Sequence, residues 1–249
     1  MSNRLKQLGK LVVDAVFPRY CVNCGKEGSL MCSVCAVDWS SAPPNAVCIA
    51  CNGPSQFGKT CCVEGIGIPD GHIASFHYAD PVVKGLIRAW KFHFDVTAWR
   101  ALRGQLAPRL SVIRDLVATY EIDAVVPLPL HSRRLCERGF DQAADLADFI
   151  AGEVDVPVCR LLVRNWSTES QADKKSDQDR FSAMQESPFK IAQSPSDGRN
   201  SRSLGDESPR RALLIDDVWT TGATAAAATR TLREGGVELV WVYTIAKGR

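Results

Sequence analysis

The spacing of hydrophobic residues predicts alternating strands and helices from residue 72 onwards in this chain of 249 residues. The segment HIASFHYA, residues 72–79, alternates like a β-strand, and residues 80–93 then place apolar side chains at helical spacing. Asp80 and Pro81 suit the start of that helix, because aspartate accepts hydrogen bonds from free amides and proline fits the first turn. Two further helical segments follow, AWRALRGQLAPRL and SVIRDLVATY.

The rest of the chain predicts parallel strands joined by helices. Short apolar runs at residues 123–130 and 212–216 predict buried strands, and residues 140–154 predict a helix between them. A second helix at residues 222–236 ends in two glycines, and residues 237–246 close the chain as a strand. A strand, a helix and a strand in this order form a βαβ unit with a right-handed crossover. The predicted fold class is therefore α/β, with a parallel sheet flanked by helices.

Two stretches depart from this pattern. Residues 1–20 predict an amphipathic helix, because they lack a small-residue cleavage site and Asp14 interrupts their apolar run. The apolar side of this helix would carry Leu5, Leu8, Val12, Ala15 and Val16. Residues 194–208 are rich in serine, glycine, proline and charge, so they predict a flexible surface insertion.

Composition and charge are those of an ordinary globular protein. Hydrophobic residues make up 45% of the chain and charged residues 23%. The net charge of +2 argues against a strongly electrostatic nucleic-acid binder. No apolar run approaches the roughly 20 residues that span a bilayer. We therefore expect a cytoplasmic protein that does not insert into a membrane.

Eight of the ten cysteines lie between Cys21 and Cys62, which in a cytoplasmic chain favours metal binding over disulfides. The first four follow the spacing C-x2-C-x7-C-x2-C. Each C-x2-C pair folds into a tight knuckle that aims both sulfurs at one point, so two pairs supply the four thiolates of a tetrahedral zinc site. The predicted ligands are Cys21, Cys24, Cys32 and Cys35.

The second group of four cysteines is less regular. Its predicted ligands are Cys48, Cys51, Cys61 and Cys62. Because Cys61 and Cys62 are adjacent, their side chains tend to point apart, and one of them would then not bind metal. Alternatives are a site completed by His72 or ligand pairs shared crosswise between the two groups. We expect one or two structural zinc ions in a small module, residues 21–66, that has little core of its own.

The segment ALLIDDVWTTGAT, residues 212–224, combines features of a phosphate site and a sugar site. Its turn into the following helix offers free amides and the positive end of a helix dipole to a phosphate. That turn contains Thr220, Thr221, Gly222, Ala223 and Thr224. Asp216 and Asp217 do not favour the phosphate itself, so they require another group, such as sugar hydroxyls, near the carboxyl end of the strand. A ribose 5-phosphate satisfies both requirements.

This segment resembles the signature of the type I phosphoribosyltransferases, in which two acidic residues end a strand and a T-T-G-x-T loop follows. The resemblance implies that residues 72–249 adopt the fold of that family. It also implies that Asp216 and Asp217, as catalytic residues, contact the ribose 2- and 3-hydroxyls of phosphoribosyl pyrophosphate, while the loop holds the 5-phosphate. Trp219 fills a position that varies in that family.

The cysteine-rich segment joined to this signature resembles the ComF family, which includes the ComFC and GntX-like proteins named for competence for DNA uptake. FPRYCVNCG, GLIRAWKF and VVPLPLHSRRLCERGFDQA are the segments that carry the resemblance. Asp141 replaces the asparagine of the usual R-G-F-N-Q motif. Residues 170–189 resemble a weaker motif, which Gln171 and Arg180 fit loosely, and Ala183 stands where asparagine is common.

Cationic and amide side chains are candidates for the pyrophosphate side of this site, since planar guanidinium groups bind phosphate well. The candidates are Lys91, Arg133, Arg134, Arg138 and Gln142. A solvated surface charge is the alternative for each single arginine. Mg²⁺ would arrive with the pyrophosphate and would need few protein ligands.

The resemblance predicts a phosphoribosyltransferase-like protein linked to DNA uptake, with no recognisable segment for the acceptor. An alternative is a non-catalytic factor in recombination that binds single-stranded DNA through aromatic and basic residues near the knuckles. Those residues are Trp39, Lys26, Arg19 and Lys59. A regulator that senses nucleotides in the same pocket is a third possibility. Expected partners are phosphoribosyl pyrophosphate, single-stranded DNA and proteins of DNA uptake or recombination.

Overall fold

The structure of the protein is a computed structural model, which describes residues 19–38, 43–93, 96–130, 135–136, 139–164, 187–192 and 209–248. Its elements are α1 (Ser33–Asp38), β1 (Gly71–His77), α2 (Pro81–His93), α3 (Val96–Leu106), α4 (Ser111–Tyr120), β2 (Ala124–Pro127), α5 (Gln142–Val154), β3 (Leu162–Arg164), β4 (Phe189–Ile191), β5 (Arg211–Trp219), α6 (Ala223–Glu234) and β6 (Leu239–Lys247). Short 3-10 turns lie at Gln56–Gly58 and Ala107–Arg109. The insertion predicted at residues 194–208, and residues 1–18 of the predicted N-terminal helix, lie outside the described residues.

Four parallel strands form the main sheet in the order β1-β6-β5-β2. The predicted α/β class is therefore confirmed, and β5, α6 and β6 form the predicted unit of two neighbouring parallel strands joined by a helix. The first strand of the sheet pairs with the last, with Gly71 opposite Trp241. This order places the carboxyl ends of all four strands at one edge of the sheet, where open α/β sheets bind ligands.

Local capping explains where two of the helices begin. The Oδ1 atom of Asp80 accepts hydrogen bonds from the backbone amides of Val82 at 2.8 Å and Val83 at 3.2 Å, so the predicted start of α2 is confirmed. Asp141 caps α5 in the same way, since its Oδ1 atom accepts from the amides of Ala143 and Ala144. A side chain that accepts from two free amides stabilises a helix start by about 1 kcal/mol.

Helices cover both faces of the sheet. On one face, side chains of α2, α3, α4 and α5 bury Leu213, Ile215 and Tyr243. On the other face, α6 packs against Leu214 and Val242 together with the small antiparallel sheet of β3 and β4. None of the helices in the described part of the chain is long and apolar enough to cross a membrane.

The cysteine-rich segment joins the sheet at β1. Lys59 bridges to Gly71 as a short antiparallel pair, and the amide of Thr60 donates to the Asp70 carbonyl at 2.8 Å. The carboxylate of Asp70 in turn accepts from Arg233 Nη2 at 2.8 Å and from the amide of Val240 at 2.7 Å. These contacts fix the end of the cysteine-rich segment against α6 and β6.

Four strands differ from the sequence-based expectations. Strand β5 continues to Trp219 instead of ending at the acidic pair, because β6 still pairs with it there. Strand β1 ends at His77, and up to Phe76 its residues are buried on both faces except for the half-buried Ile73, although its sequence alternates. The short strands β3 and β4 were not predicted, since three-residue strands leave little periodic signal.

Two glycines allow a matched test of packing at the sheet. A Cβ atom at Gly71 would lie 2.0 Å from the ring of the fully buried Trp241, whereas one at Gly104 on α3 would meet no atom within 4 Å. We expect Gly71→Ala to lower the free energy of unfolding by about 2 kcal/mol or more through overpacking. The control Gly104→Ala should raise it by about 0.5 kcal/mol, because alanine favours a helix. Urea denaturation measures both, and equal effects would contradict this packing.

Candidate functional site

The two acidic residues lie where β5 loses one of its neighbouring strands. Pairing between β2 and β5 ends at Pro127 and Ile215, and the amide of Leu128 makes the last contact by donating to the Ile215 carbonyl. Beyond that point β5 still pairs with β6, with Asp216 opposite Thr244. Among the described residues, Asp216 and Asp217 therefore lie on a strand that is paired with β6 on one side and has no paired strand on the β2 side.

The carboxylates of Asp216 and Asp217 have different surroundings. Asp217 forms an ion pair with Lys91 of α2, with 2.6 Å between Oδ2 and Nζ. The side chains of this pair are 17% and 19% exposed, so solvent still reaches both. Burial, followed by the negative charge of Asp217, raises the pKa of Asp216 to about 7. At neutral pH the two residues therefore share less than two full negative charges.

Lys91 was predicted to face the pyrophosphate, and the structure places its ammonium group against Asp217. Gln142, predicted for the same role, is the first residue of α5 and is 1% exposed. Arg133, Arg134 and Arg138 lie outside the described residues. Of the predicted pyrophosphate group, the structure thus brings Lys91 alone into described contact with the acidic pair.

The predicted phosphate loop is an exposed turn at the start of α6. Gly222 has a φ of +77° and directly precedes the helix, a conformation that favours glycine. The hydroxyl of Thr221 accepts a hydrogen bond of 3.4 Å from the amide of Ala223. Thr220, Thr221, Ala223 and Thr224 are all exposed. This turn presents the positive end of a helix of 12 residues, together with three exposed threonines, to solvent.

Asp141 is a third carboxylate near this edge of the sheet. Besides capping α5, it accepts a hydrogen bond of 3.4 Å from the amide of Leu130, the residue that leads out of β2. Its charge contributes to the raised pKa of Asp216. Asp141 stands where the related motif has asparagine, and a carboxylate serves as a helix cap equally well. The capping role could have been read from the sequence, but the proximity to Asp216 could not.

The eight clustered cysteines form two groups of four, Cys21 with Cys24, Cys32 and Cys35, and Cys48 with Cys51, Cys61 and Cys62. Within each group the four sulfur atoms lie within 4.8 Å of one another. Measured sulfur–sulfur distances are 3.7 Å for Cys24–Cys32, 3.7 Å for Cys48–Cys62 and 3.8 Å for Cys51–Cys61. A tetrahedron with Zn–S bonds of about 2.3 Å has edges of about 3.8 Å. Both groups are therefore compatible with structural zinc.

The first C-x2-C knuckle of each group has the same pattern of backbone hydrogen bonds. In the first, the amide of Cys21 donates to the Lys26 carbonyl and the amide of Gly25 donates to the Cys21 carbonyl. In the second, the amide of Cys48 donates to the Gly53 carbonyl and the amide of Asn52 donates to the Cys48 carbonyl. Gly25 and Asn52 both have positive φ angles, +71° and +57°. The second group is thus built on the same knuckle as the first, despite its irregular spacing.

Hydrogen bonds shift the pKa values of the thiols in the second group. The amides of Cys51, Cys61 and Ala50 lower the pKa of Cys48 to about 5. Hydrogen bonds with the thiols of Cys51 and Cys48 raise the pKa of Cys62 to about 12. Without a cation the group therefore holds thiolate and thiol together, and a divalent metal would stabilise the fully ionised set.

Two alternatives for the second group disagree with the structure. The sulfurs of Cys61 and Cys62 both lie within the group, and each group is built from consecutive cysteines rather than crosswise pairs. His72 does not complete the group, because its Nε2 atom bonds Thr244 Oγ1 at 2.9 Å and its ring stacks on Trp219. Adjacent cysteines can both bind one metal where the chain turns between them, which spacing alone does not reveal.

Comparison with known proteins finds three similar bacterial proteins, and no protein-family model matches the chain. The chain is 28% identical over 240 residues to "Competence protein F" of Haemophilus influenzae, which covers 91% of this chain and 96% of that protein. It is 25% identical over 225 residues to "Competence protein ComFC" of Streptococcus pneumoniae, which covers 89% of each chain. It is 35% identical over 112 residues to "Competence protein ComFC" of Bacillus subtilis, covering 45% of this chain and 39% of that protein.

Metal analysis tests the cysteine groups. We expect two zinc ions per chain in freshly purified protein and about one in Cys48→Ser, since loss of a thiolate opens one site. The exposed Cys136 lies outside both groups, so Cys136→Ser is the matched control and should retain two. Elemental analysis by mass spectrometry measures the ratio. Metal-free protein with unchanged thermal stability would contradict the assignment.

The raised pKa of Asp216 predicts how stability depends on pH. In the unfolded chain this carboxyl ionises near pH 4, whereas in the folded protein it holds its proton up to about pH 7. The folded state therefore binds more protons in this window, and the contribution of Asp216 to stability falls as pH rises from about 4 to about 7. Chemical denaturation at pH 5 and pH 7.5 should show Asp216→Asn gaining stability relative to the wild type at the higher pH. A difference that does not change with pH would refute the raised pKa.

Proposed function

Because the chain belongs to the ComF family of competence proteins, we propose that it binds phosphoribosyl pyrophosphate with Mg²⁺ and acts in DNA uptake. One observation carries the proposal. The adjacent carboxylates and the exposed turn into α6, which begins at Thr220, lie at the same edge of the sheet and are separated by the two residues Val218 and Trp219. A phosphorylated pentose offers hydroxyls to the former and an anion to the latter.

In this proposal the turn from Thr220 to Thr224 binds the 5-phosphate. Free amides at the start of α6 and the threonine hydroxyls donate hydrogen bonds to the phosphate oxygens, and the helix dipole favours their charge. Gly222 supports this role, because its positive φ lets the backbone turn into the helix without a side chain near the anion.

Asp216 and Asp217 bind the ribose 2- and 3-hydroxyls. Hydroxyl donors lower the cost of holding these carboxylates partly buried, and they favour the ionised form of Asp216. Asp217 exchanges the ammonium of Lys91 for a hydroxyl, and Lys91 then turns to the pyrophosphate. The 17% and 19% exposure of the two side chains leaves room for this exchange.

The reaction that this arrangement serves is transfer of the phosphoribosyl group. A nucleophile forms a bond to the anomeric carbon while the bond from that carbon to pyrophosphate breaks, and pyrophosphate leaves with the electron pair. Mg²⁺, when bound, supplies positive charge to the pyrophosphate oxygens. Lys91 adds a second positive charge, and the two aspartates hold the sugar in position while the turn anchors its phosphate.

Binding of single-stranded DNA is a second candidate function, favoured by the surface of the first knuckle. Tyr20 is 53% exposed there, next to Arg19 and near the exposed Lys26. An exposed aromatic ring beside basic side chains offers stacking and charge to a nucleotide chain. Trp39, predicted for the same surface, lies outside the described residues, and Arg19 already donates a hydrogen bond to Thr97 at 2.9 Å.

Isothermal titration with phosphoribosyl pyrophosphate and Mg²⁺ tests the proposal. We expect saturable one-to-one binding by the wild type. Asp216→Asn combined with Asp217→Asn should weaken it roughly 100-fold or more, because two charge-assisted hydrogen bonds are lost.

The control is Asp148→Asn, which removes a 55% exposed carboxylate from α5 and should leave the affinity unchanged. Equal affinity of the double variant and the wild type would refute the site. The second candidate would be favoured if titration with single-stranded DNA gives a heat of binding that falls steeply with added salt, while titration with phosphoribosyl pyrophosphate gives no heat of binding.

A further inference from the structure

The ring of Trp219 lies between the phosphate loop and a buried histidine. Trp219 is the last residue of β5, and its ring stacks on that of His72, with 4.2 Å between centroids and an angle of 27°. On the loop side, a Cβ atom built on Gly222 would lie 2.5 Å from Cζ2 of the indole. The ring therefore fills the space under Gly222, and the loop passes directly over it.

His72 is held rigidly beneath the indole ring. It is 4% exposed, and its Nε2 atom lies 2.9 Å from the hydroxyl oxygen of Thr244. The Thr244 hydroxyl donates to the carbonyl of Ala246 at 3.1 Å, so Nε2 of His72 is the donor in the first bond. Burial, with a smaller contribution from Lys247, lowers the pKa of His72 to about 3, which keeps the ring neutral.

The backbone of Trp219 is fixed as well. Its carbonyl accepts a hydrogen bond of 2.7 Å from the amide of Gly248, just beyond β6. The loop that follows is joined to the helix by the amide of Ala226, which donates to the Gly222 carbonyl at 2.8 Å, and its described side-chain bond is the weaker one of 3.4 Å from the Ala223 amide to the Thr221 hydroxyl. A rigid ring thus stands next to an exposed turn that has few side-chain bonds of its own.

We infer that Trp219 is a positioning residue for the phosphate loop, residues 220–224. Its ring, supported by His72, fixes the position of Gly222 and so the direction of the first amides of α6. This inference rests on the proposed function, because it assumes that these amides bind the phosphate. An anion site gains affinity when its donors are fixed before the ligand arrives, since less conformational entropy is lost on binding. Trp219 supplies that fixation without touching the ligand.

Trp219→Ala tests the inference in the full-length protein. We expect the amides of residues 220–226 to exchange with deuterium about tenfold faster, while exchange in β6 stays unchanged, because the ring that supports the turn is lost. The affinity for phosphoribosyl pyrophosphate with Mg²⁺ should fall about tenfold. Trp219→Phe retains a ring that can stack on His72 and should recover most of both losses.

Trp99→Ala is the matched control. Trp99 is also half-buried and stacked on another ring, that of Trp90, with 4.6 Å between centroids and an angle of 8°. Its loss should lower global stability to a similar degree and leave exchange at residues 220–226 and the affinity unchanged. An equal effect of both variants on the loop would show general destabilisation and overturn the inference.

A double-mutant cycle tests the contact itself. With Trp219 in place, Gly222→Ala should weaken ligand binding strongly. The new methyl group would clash with the indole ring, and alanine disfavours the φ of +77° at this position. In the Trp219→Ala background the clash with the ring is absent, so Gly222→Ala should reduce the affinity several-fold less than it does when Trp219 is present. Additive effects would overturn the inference.

The two hypotheses fail in different ways. If the wild type does not bind phosphoribosyl pyrophosphate but Trp219→Ala still accelerates exchange in the loop, the proposed function is refuted and the positioning role stands. If the wild type binds and Trp219→Ala binds within twofold of it with unchanged exchange, the positioning role is refuted and the proposed function stands.

Discussion

The free-energy cost of holding two neighbouring carboxylates on a strand between two layers of helices is the constraint on which the site depends. Asp216 responds by taking up a proton near neutral pH, and Asp217 responds by pairing with Lys91. Neither response removes the cost entirely, because removing carboxylates from water is offset only in part by one cation and one proton. A ligand that donates hydroxyl groups would lower the same free-energy cost, and this is the electrostatic argument for the proposed site.

The cysteine groups also bring ionisable groups of like charge together, and the partner that would stabilise them is a metal cation. Four thiols within 4.8 Å repel one another as they ionise, and the backbone amides of a knuckle stabilise a single thiolate best. A divalent cation lets all four ionise, and it also supplies folding energy to a short segment with little apolar core. In both parts of the protein, the backbone brings groups of like charge together, and a cation or a hydrogen-bond donor would stabilise them.

Local chemistry decided which parts of the structure could be predicted. The start of α2 was predictable because Asp80 bonds amides two and three residues ahead of it. Strands β5 and β6 were predictable because they are buried on both faces and form continuous apolar runs. The ion pair of Lys91 with Asp217 and the stack of His72 on Trp219 join residues far apart in sequence, so no local pattern encodes them. The position of both the Cys61 and the Cys62 sulfur within one group could not be predicted for a similar reason, since it depends on backbone direction rather than spacing.

The pairing of β1 with β6 has a consequence for synthesis of the chain. Ser75 and Tyr243, which share a hydrogen bond of 2.7 Å, are 168 residues apart. On the ribosome, β1 emerges well before β6, the strand that pairs with it. Closing such a long loop is entropically slow, so this pairing forms only after β6 has also been made. The backbone hydrogen bonds within each cysteine knuckle are local and can form before β6 is made, whereas a chain truncated before β6 would leave β1 as an unpaired edge exposed to aggregation.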